Sequence, residues 1–425
     1  MDRMVIPFNS IRISGSALSK GVDWMTSKKL IEIENTYGAH NYHPLNVVLT
    51  RGKGIWVFDA EGRKYLDFLS AYSSINQGHC HPRLVRAMTN QAKRLTITSR
   101  AFRNDQLPHL CRELCELTGM EMMLPMNSGA EAVETAIKLV RKWGYAVKGV
   151  KKEKAEIIAC AGNFHGRTTT IIGFSTEPLY KNFFGPFTPG FKIIPFGDSK
   201  AFEKAIGKNT VAFLYEPIQA EGGVLIPPAG YLKECERIAK KHNVLLVADE
   251  IQTGLGRCGK MFAGQYEDVN PDVVIMGKAL SGGFYPVSAV VSSRKIMGLF
   301  TPGEHGSTFA GNPLACAVAR EALKVLVQEK LIENSVKMGE YLMAKLRTIQ
   351  SKHIKEVRGR GLLVGVELYP EAGGARRFCE ALAKERLLCK ETHDNVIRFA
   401  PPLVITKKDL DWAFVKIKKV LETLE

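Results

Sequence analysis

The chain is built from short apolar runs that stop abruptly at acids, lysine or glycine, alternating with stretches of helical period. Val244–Ala248 ends at Asp249 and Glu250, and Pro271–Met276 ends at Gly277 and Lys278. Val211–Tyr215 stops at Glu216, while Ile157–Cys160 runs into the Gly162–Thr168 segment. Runs of this length, bounded by turn residues, predict buried strands. Val133, Ile137 and Val140 follow Ser128 and Gly129 at helical spacing, as do Val85, Met88, Ala92 and Leu95 after Pro82. A last helix is predicted by Leu410, Phe414, Ile417 and Leu421, opened by Thr406 and Asp409 as a capping box. Arg51–Gly62 alternates and meets a turn, as a hairpin does. From about Leu331 the pattern becomes that of a separate α/β unit. No apolar run reaches the roughly 18 residues that a bilayer span needs.

Two of these strand ends carry chemistry that fits together. With their strands side by side and parallel, Asp249 and Lys278 share the carboxyl edge of the sheet, where open α/β sheets bind ligands. A lysine in a protected site can form a Schiff base with an aldehyde cofactor, and pyridoxal phosphate enzymes pair such a lysine with an acid on the pyridinium nitrogen. Taken singly, Asp249 also reads as a turn cap and Lys278 as a solvated residue. Ser128 and Gly129 open a helix whose free amides favour a phosphate, although a Ser-Gly before a helix is commonly only a cap. His79 and His81 alternate like strand residues, lack a third ligand at plausible spacing, and read as packing rather than metal binding.

Composition narrows the classes. With 425 residues, 45% hydrophobic and 24% charged, the chain has the profile of a soluble two-domain enzyme. Its nine cysteines are scattered, with Cys111 and Cys115 one helical turn apart, which predicts reduced thiols and no metal site. The net charge of +16 raises nucleic acid as a partner. The basic residues are spread along the chain, however, and predict steering of anionic ligands rather than nucleic-acid or membrane binding. Arg3, Arg12, Lys20 and several serines resemble a transit peptide, whereas Asp2 and Asp23 do not fit one. The expectation is a cytoplasmic protein, or a mitochondrial matrix protein if the first 25 or so residues are removed, and Met25 is an alternative start.

Ala248–Gly254 followed by Gly277–Gly283 resembles the class III, ω-amino-acid branch of the fold type I aminotransferases. Tyr37–Pro44, Asn76–Pro82 and Gly303–Thr308 carry the likeness further, toward the members of the branch that use ornithine. The resemblance runs from about Tyr37 to the C-terminus. It implies an α/β fold with a mostly parallel seven-stranded sheet flanked by helices. The parts would be an N-terminal arm over 1–71, a large cofactor-binding domain over 72–329 and a small C-terminal α/β domain over 330–425. It implies pyridoxal 5′-phosphate held by Ser128, Gly129, Ala130, Phe164, Asp249, Ile251, Gln252 and Lys278, with Ser307 and Thr308 reaching across a homodimer, or a higher oligomer, to the neighbouring phosphate. Gln252 would bond the ring hydroxyl, and Lys278 and Asp249 would be the catalytic pair.

For substrate binding it implies Tyr42, Tyr72, Arg167, Glu221 and Arg398, with L-ornithine and 2-oxoglutarate as partners. Two departures bear on the substrate: His165 stands where tryptophan is common in the ornithine enzymes, and Ala220 replaces the more common glycine beside Glu221. Rival expectations are transamination of N-acetylornithine or 4-aminobutyrate, an aminomutase or racemase, and a non-catalytic binding protein. Lys278, Asp249, Arg167 and Arg398 together argue against the last.

Overall fold

A computed structural model describes residues 25–425. The expectations built on Arg3, Arg12 and Lys20 lie outside the described residues. The chain divides into two units, Met1–Arg51 with Phe58–Lys64, and Gly52–Val57 with Tyr65–Glu425. In the first unit, Thr26 caps the helix Ser27–Tyr37. The Ser27 amide and hydroxyl both donate to the Glu61 carboxylate at 2.7 Å, which ties the helix start to the Asp59–Arg63 turn. Tyr37 and Tyr42 are exposed in this unit.

Three short strands, β1 Leu49–Lys53, β2 Trp56–Asp59 and β3 Lys64–Asp67, straddle the division. The second unit then contains β4 Met122–Met126, β5 Glu156–Cys160, β6 Phe191–Ile194, β7 Thr210–Tyr215, β8 Leu245–Asp249, β9 Val273–Met276 and β10 Ser288–Ser292. These seven form one sheet in the order β4-β10-β9-β8-β7-β5-β6. Every pair from β9 through β8, β7 and β5 to β6 is parallel, whereas β10 runs antiparallel to β4 and β9. β7, β8, β9 and β10 are buried along their whole length, as parallel strands covered on both faces must be. Val133, Ile137 and Val140 of the helix Gly129–Ala146 bury one face, while Tyr231, Leu232 and Ile238 of Tyr231–Lys241 contribute to a separate apolar cluster with Phe213 and Leu246.

The C-terminal strands are β11 Ile354–Arg360, β12 Leu363–Leu368, β13 Leu387–Leu388, β14 Lys390–Thr392 and β15 Val396–Phe399. β11, β12, β15 and β14 make an antiparallel sheet in that order, and β13 pairs in parallel with β3. The final helix Lys407–Thr423 carries the capping box of Thr406 and Asp409 and buries Leu410, Ile417 and Leu421. The helix Pro82–Ala92 forms where its spacing predicts, yet the fully buried positions are Leu84 and Gln91 while Val85 and Leu95 are exposed. Period alone established the helix there; the neighbours decided which side is covered.

Candidate active site

β8 and β9 run parallel with Asp249 opposite Ile275, so the residues just beyond both strands emerge at one edge. A cavity of about 210 Å³ opens there. Of the residues expected from sequence, Gly129, Ala130, Phe164, Glu221, Asp249, Ile251, Gln252 and Lys278 line it; His165, Gly166, Glu216 and Thr253 complete it. Lys278 leaves β9 in a left-handed conformation at φ +39° and enters a tight turn closed by Gly282 and Gly283. A Cβ on Gly283 would lie 2.7 Å from Ile75, so the turn needs glycine for space as well as for dihedral freedom.

One chain of hydrogen bonds joins the lysine to a buried arginine. The Lys278 Nζ donates to Gln252 Oε1, and Gln252 Nε2 donates to Glu221 Oε1 at 3.2 Å. The same Glu221 oxygen accepts from Arg398 Nη1 at 2.5 Å. Arg398 is only 1% exposed, and its Nε and Nη2 are buried with no hydrogen-bond partner among the described residues. Burial works against the charge on Glu221, but Arg398 and Lys278 outweigh it and hold the carboxyl below its ordinary range. Burial likewise pushes the Lys278 ammonium down, opposed mainly by Glu221. The Tyr72 ring lies over the Arg398 guanidinium, 5.3 Å from centroid to Cζ. The loop that carries Glu221 is tied down. Thr392 donates to the Glu221 carbonyl at 2.6 Å, Arg358 donates to that of Gly223 at 2.7 Å, and the Ala220 methyl fits fully buried.

At the other wall, Asp249 Oδ1 accepts from the Ile251 amide at 3.0 Å and Oδ2 is bonded to His165 Nδ1 at 2.7 Å. Burial alone would depress His165, yet its bond to Asp249 raises it overall. Its Nε2 is buried without a hydrogen-bond partner among the described residues. Glu216 accepts from the Phe164 amide at 2.9 Å, and burial raises its carboxyl to about 7. Sequence reasoning singled out His165 only as a departure and Glu216 only as a strand end. A histidine two residues past Asn163 carries no local mark that it will meet Asp249, 84 positions away.

The helix Gly129–Ala146 points its N-terminus at the cavity. Ser128 is its N-cap, in a full capping box with Glu131. The first amides of a helix have no intrahelical acceptor, which leaves those of Gly129 and Ala130 facing the cavity they line. Ser307 accepts from Asn127 Nδ2 at 2.8 Å, beside Ser128 in the same chain, and Thr308 is exposed. Arg167 is exposed, with its guanidinium 4.4 Å from the Tyr180 ring centroid and 5.9 Å from that of Phe164. Tyr42 belongs to the other unit and is described only there.

This donor set suits a phosphorylated aromatic aldehyde. Helix amides match a phosphate, a recessed lysine with a depressed affinity for its proton matches an aldehyde, and an acid backed by a buried histidine matches a ring nitrogen. The two unpartnered donors of Arg398 match a carboxylate on a second ligand.

The family model for class III aminotransferases matches residues 37–421. A protein of Geobacillus sp. (strain WCH70) named ornithine aminotransferase is 59% identical over 392 residues, covering 92% of this chain and 98% of that one. Among solved structures, the ornithine aminotransferase of Toxoplasma gondii, described with pyridoxal phosphate partly occupying its active site, gives a TM-score of 0.93 at 44% identity over 96% of both chains. The acetylornithine aminotransferase of Elizabethkingia anophelis gives 0.85 at 47% identity, over 93% of this chain and 99% of that one.

Proposed function

Since the chain belongs to the class III aminotransferases and is a pyridoxal-phosphate-dependent enzyme of fold type I, we propose that this site moves the δ-amino group of L-ornithine to 2-oxoglutarate. The products are glutamate 5-semialdehyde, which cyclises to pyrroline-5-carboxylate, and L-glutamate. When bound, pyridoxal phosphate supplies the electron sink for both half-reactions. Gly129 and Ala130 would hold its phosphate by their amides with the Ser128 hydroxyl beside them, Phe164 and Ile251 would flank its ring, and Gln252 would bond the ring hydroxyl. Asp249, backed by His165, would pair with the ring nitrogen. Lys278 would be the amine that takes the aldehyde, and it would carry a proton at the substrate carbon.

The observation that carries the ornithine reading is the Glu221–Arg398 pair. Ornithine must present its δ-carbon with its α-carboxylate far away, whereas glutamate must present its α-carbon with a carboxylate close by. An uncovered Arg398 would draw ornithine in backwards. Glu221 covers Arg398 while ornithine binds, with Arg167 taking the distant carboxylate and Tyr72 framing the chain. Glu221 then turns away when glutamate or 2-oxoglutarate brings its own carboxylate. The backbone of Glu221 is tied by Thr392, so the movement is one of the side chain. The same reading makes the enzyme a homodimer in which Ser307 and Thr308 serve the neighbouring phosphate. It also divides the chain into an arm over 1–71, a large domain over 72–329 and a small one over 330–425.

An amino-donor panel with 2-oxoglutarate, trapping pyrroline-5-carboxylate as it forms, tests the proposal. Ornithine should far exceed N-acetylornithine and 4-aminobutyrate. A preference for either of those would replace this reading, and turnover without any keto-acid acceptor would point to an isomerase.

A further inference from the structure

Ser70, Ala71, Tyr72 and Ser73 form a turn of the wrong hand. Their φ angles are +50°, +46°, +58° and +68°, and none is glycine. Each side chain with a Cβ resists that region, so four in succession persist only where the surroundings impose them. The hydroxyls of Ser70 and Ser73 are buried and make no hydrogen bond among the described residues, so they do not hold the turn.

Asp67 holds it. The Asp67 Oδ1 accepts from the amides of Leu69 and Ser70 at 2.9 and 2.8 Å, at the entry to the turn. Its Oδ2 is bonded to His79 Nε2 at 2.7 Å. His79 is itself anchored by two backbone bonds to Gly54, at 2.7 and 2.8 Å. The flanks are sewn to the segment that follows Arg398: Ala400 N donates to Phe68 O at 2.7 Å, and Leu403 N donates to Asn76 O at 2.8 Å. Between the flanks, buried Arg257 donates to the Pro401 carbonyl and to Asn76 Oδ1, both at 2.6 Å. The turn is therefore a bulge bracketed on the Arg398 segment, and its product is the Tyr72 ring over the Arg398 guanidinium. Relaxing to right-handed dihedrals would reverse the bulge and carry the ring away.

We propose that Asp67, with His79, is a positioning residue for substrate orientation: it locks the left-handed turn so that Tyr72 covers one face of Arg398. This rests on the ornithine reading above. With the ring in place, a carboxylate reaches Arg398 only where Glu221 stood. Without it, a second approach opens even while Glu221 stays, and the orientation that glutamate uses is favoured for every substrate.

The test measures single-turnover kcat/KM for ornithine and for glutamate in the cofactor-loaded enzyme, for wild type, Asp67→Ala, and Asp67→Ala with Ala71→Gly. Glycine adopts the left-handed region without a Cβ penalty, so it should restore the turn that Asp67 no longer enforces. Asp67→Ala should lower the ornithine-to-glutamate ratio about tenfold, chiefly through KM for ornithine, with the bound-cofactor spectrum unchanged. Adding Ala71→Gly should recover part of the ratio. A purely structural role would lower the melting temperature and leave the ratio alone. A ratio within about twofold of wild type, or one lowered equally with and without Ala71→Gly, overturns the proposal. If Asp67→Ala does not fold, His79→Gln takes its place with the same two outcomes. Failure of the ornithine reading would show separately, as wild-type enzyme that takes no amino group from ornithine.

Discussion

Replacing Glu221 by alanine puts the substrate-orientation argument at risk. Arg398 is 1% exposed, and Glu221 is the carboxylate that meets it, at 2.5 Å. The other two guanidinium nitrogens already lack a partner among the described residues. Glu221→Ala therefore leaves a buried cation ready for any carboxylate that enters, and both ornithine and glutamate bring one. Glutamate gains, because its carboxylate no longer has to displace Glu221 from Arg398. Ornithine loses, because its α-carboxylate now competes for Arg398 in the unproductive orientation. A charge-assisted bond at a site partly open to solvent, where Glu221 is 24% exposed, is worth about 1–3 kcal/mol, which corresponds to roughly 5–150-fold in the ornithine-to-glutamate ratio. Rapid mixing of loaded enzyme with each amino acid, followed by cofactor absorbance, measures the two half-reactions independently of the acceptor. A ratio that stays at the wild-type value would mean that Glu221 is structural and that orientation rests on other residues, Tyr72 among them.

Further outcomes follow from the same geometry. Lys278→Ala should abolish turnover and the visible absorbance of the lysine-linked cofactor, and near-normal transamination by that variant would show that the site is misplaced. Asp249→Asn should still bind cofactor yet lose activity by orders of magnitude, since an amide cannot hold the ring-nitrogen proton; kinetics together with a cofactor titration separates the two effects. Lys278 attaches the cofactor as the neutral amine. Burial lowers its proton affinity, and the Glu221 carboxylate partly restores it. Glu221→Gln removes a negative charge that stabilises the ammonium, so the pH midpoint for covalent attachment of pyridoxal phosphate to cofactor-free enzyme should move down; a midpoint that rises would contradict the electrostatics. Mixing Lys278→Ala chains with Thr308→Ala chains, the latter impaired in cofactor affinity, should restore some activity in heterodimers. No recovery after verified subunit exchange counts against a phosphate site shared between chains.

How much of this was legible beforehand divides along a physical line. The buried runs Leu245–Asp249 and Val273–Met276, the helix after Ser128 and the capping box at Thr406 are local events, set by side-chain period, β-branching and a few hydrogen bonds within three or four residues. The sequence by itself therefore determined the α/β class and the acid-and-lysine edge, and its motifs carried the family likeness. Contacts across the chain were not written locally. Arg398 reaches Glu221 over 177 positions and His165 reaches Asp249 over 84, and only the strand order decides that these meet. The antiparallel placing of β10 and the covered side of Pro82–Ala92 depend equally on which elements pack together. The left-handed turn under Tyr72 is the extreme case. Nothing in Ser70, Ala71, Tyr72 or Ser73 favours a positive φ, and the conformation exists because Asp67, His79 and the Arg398 segment, each settled by tertiary folding, leave the backbone no other path.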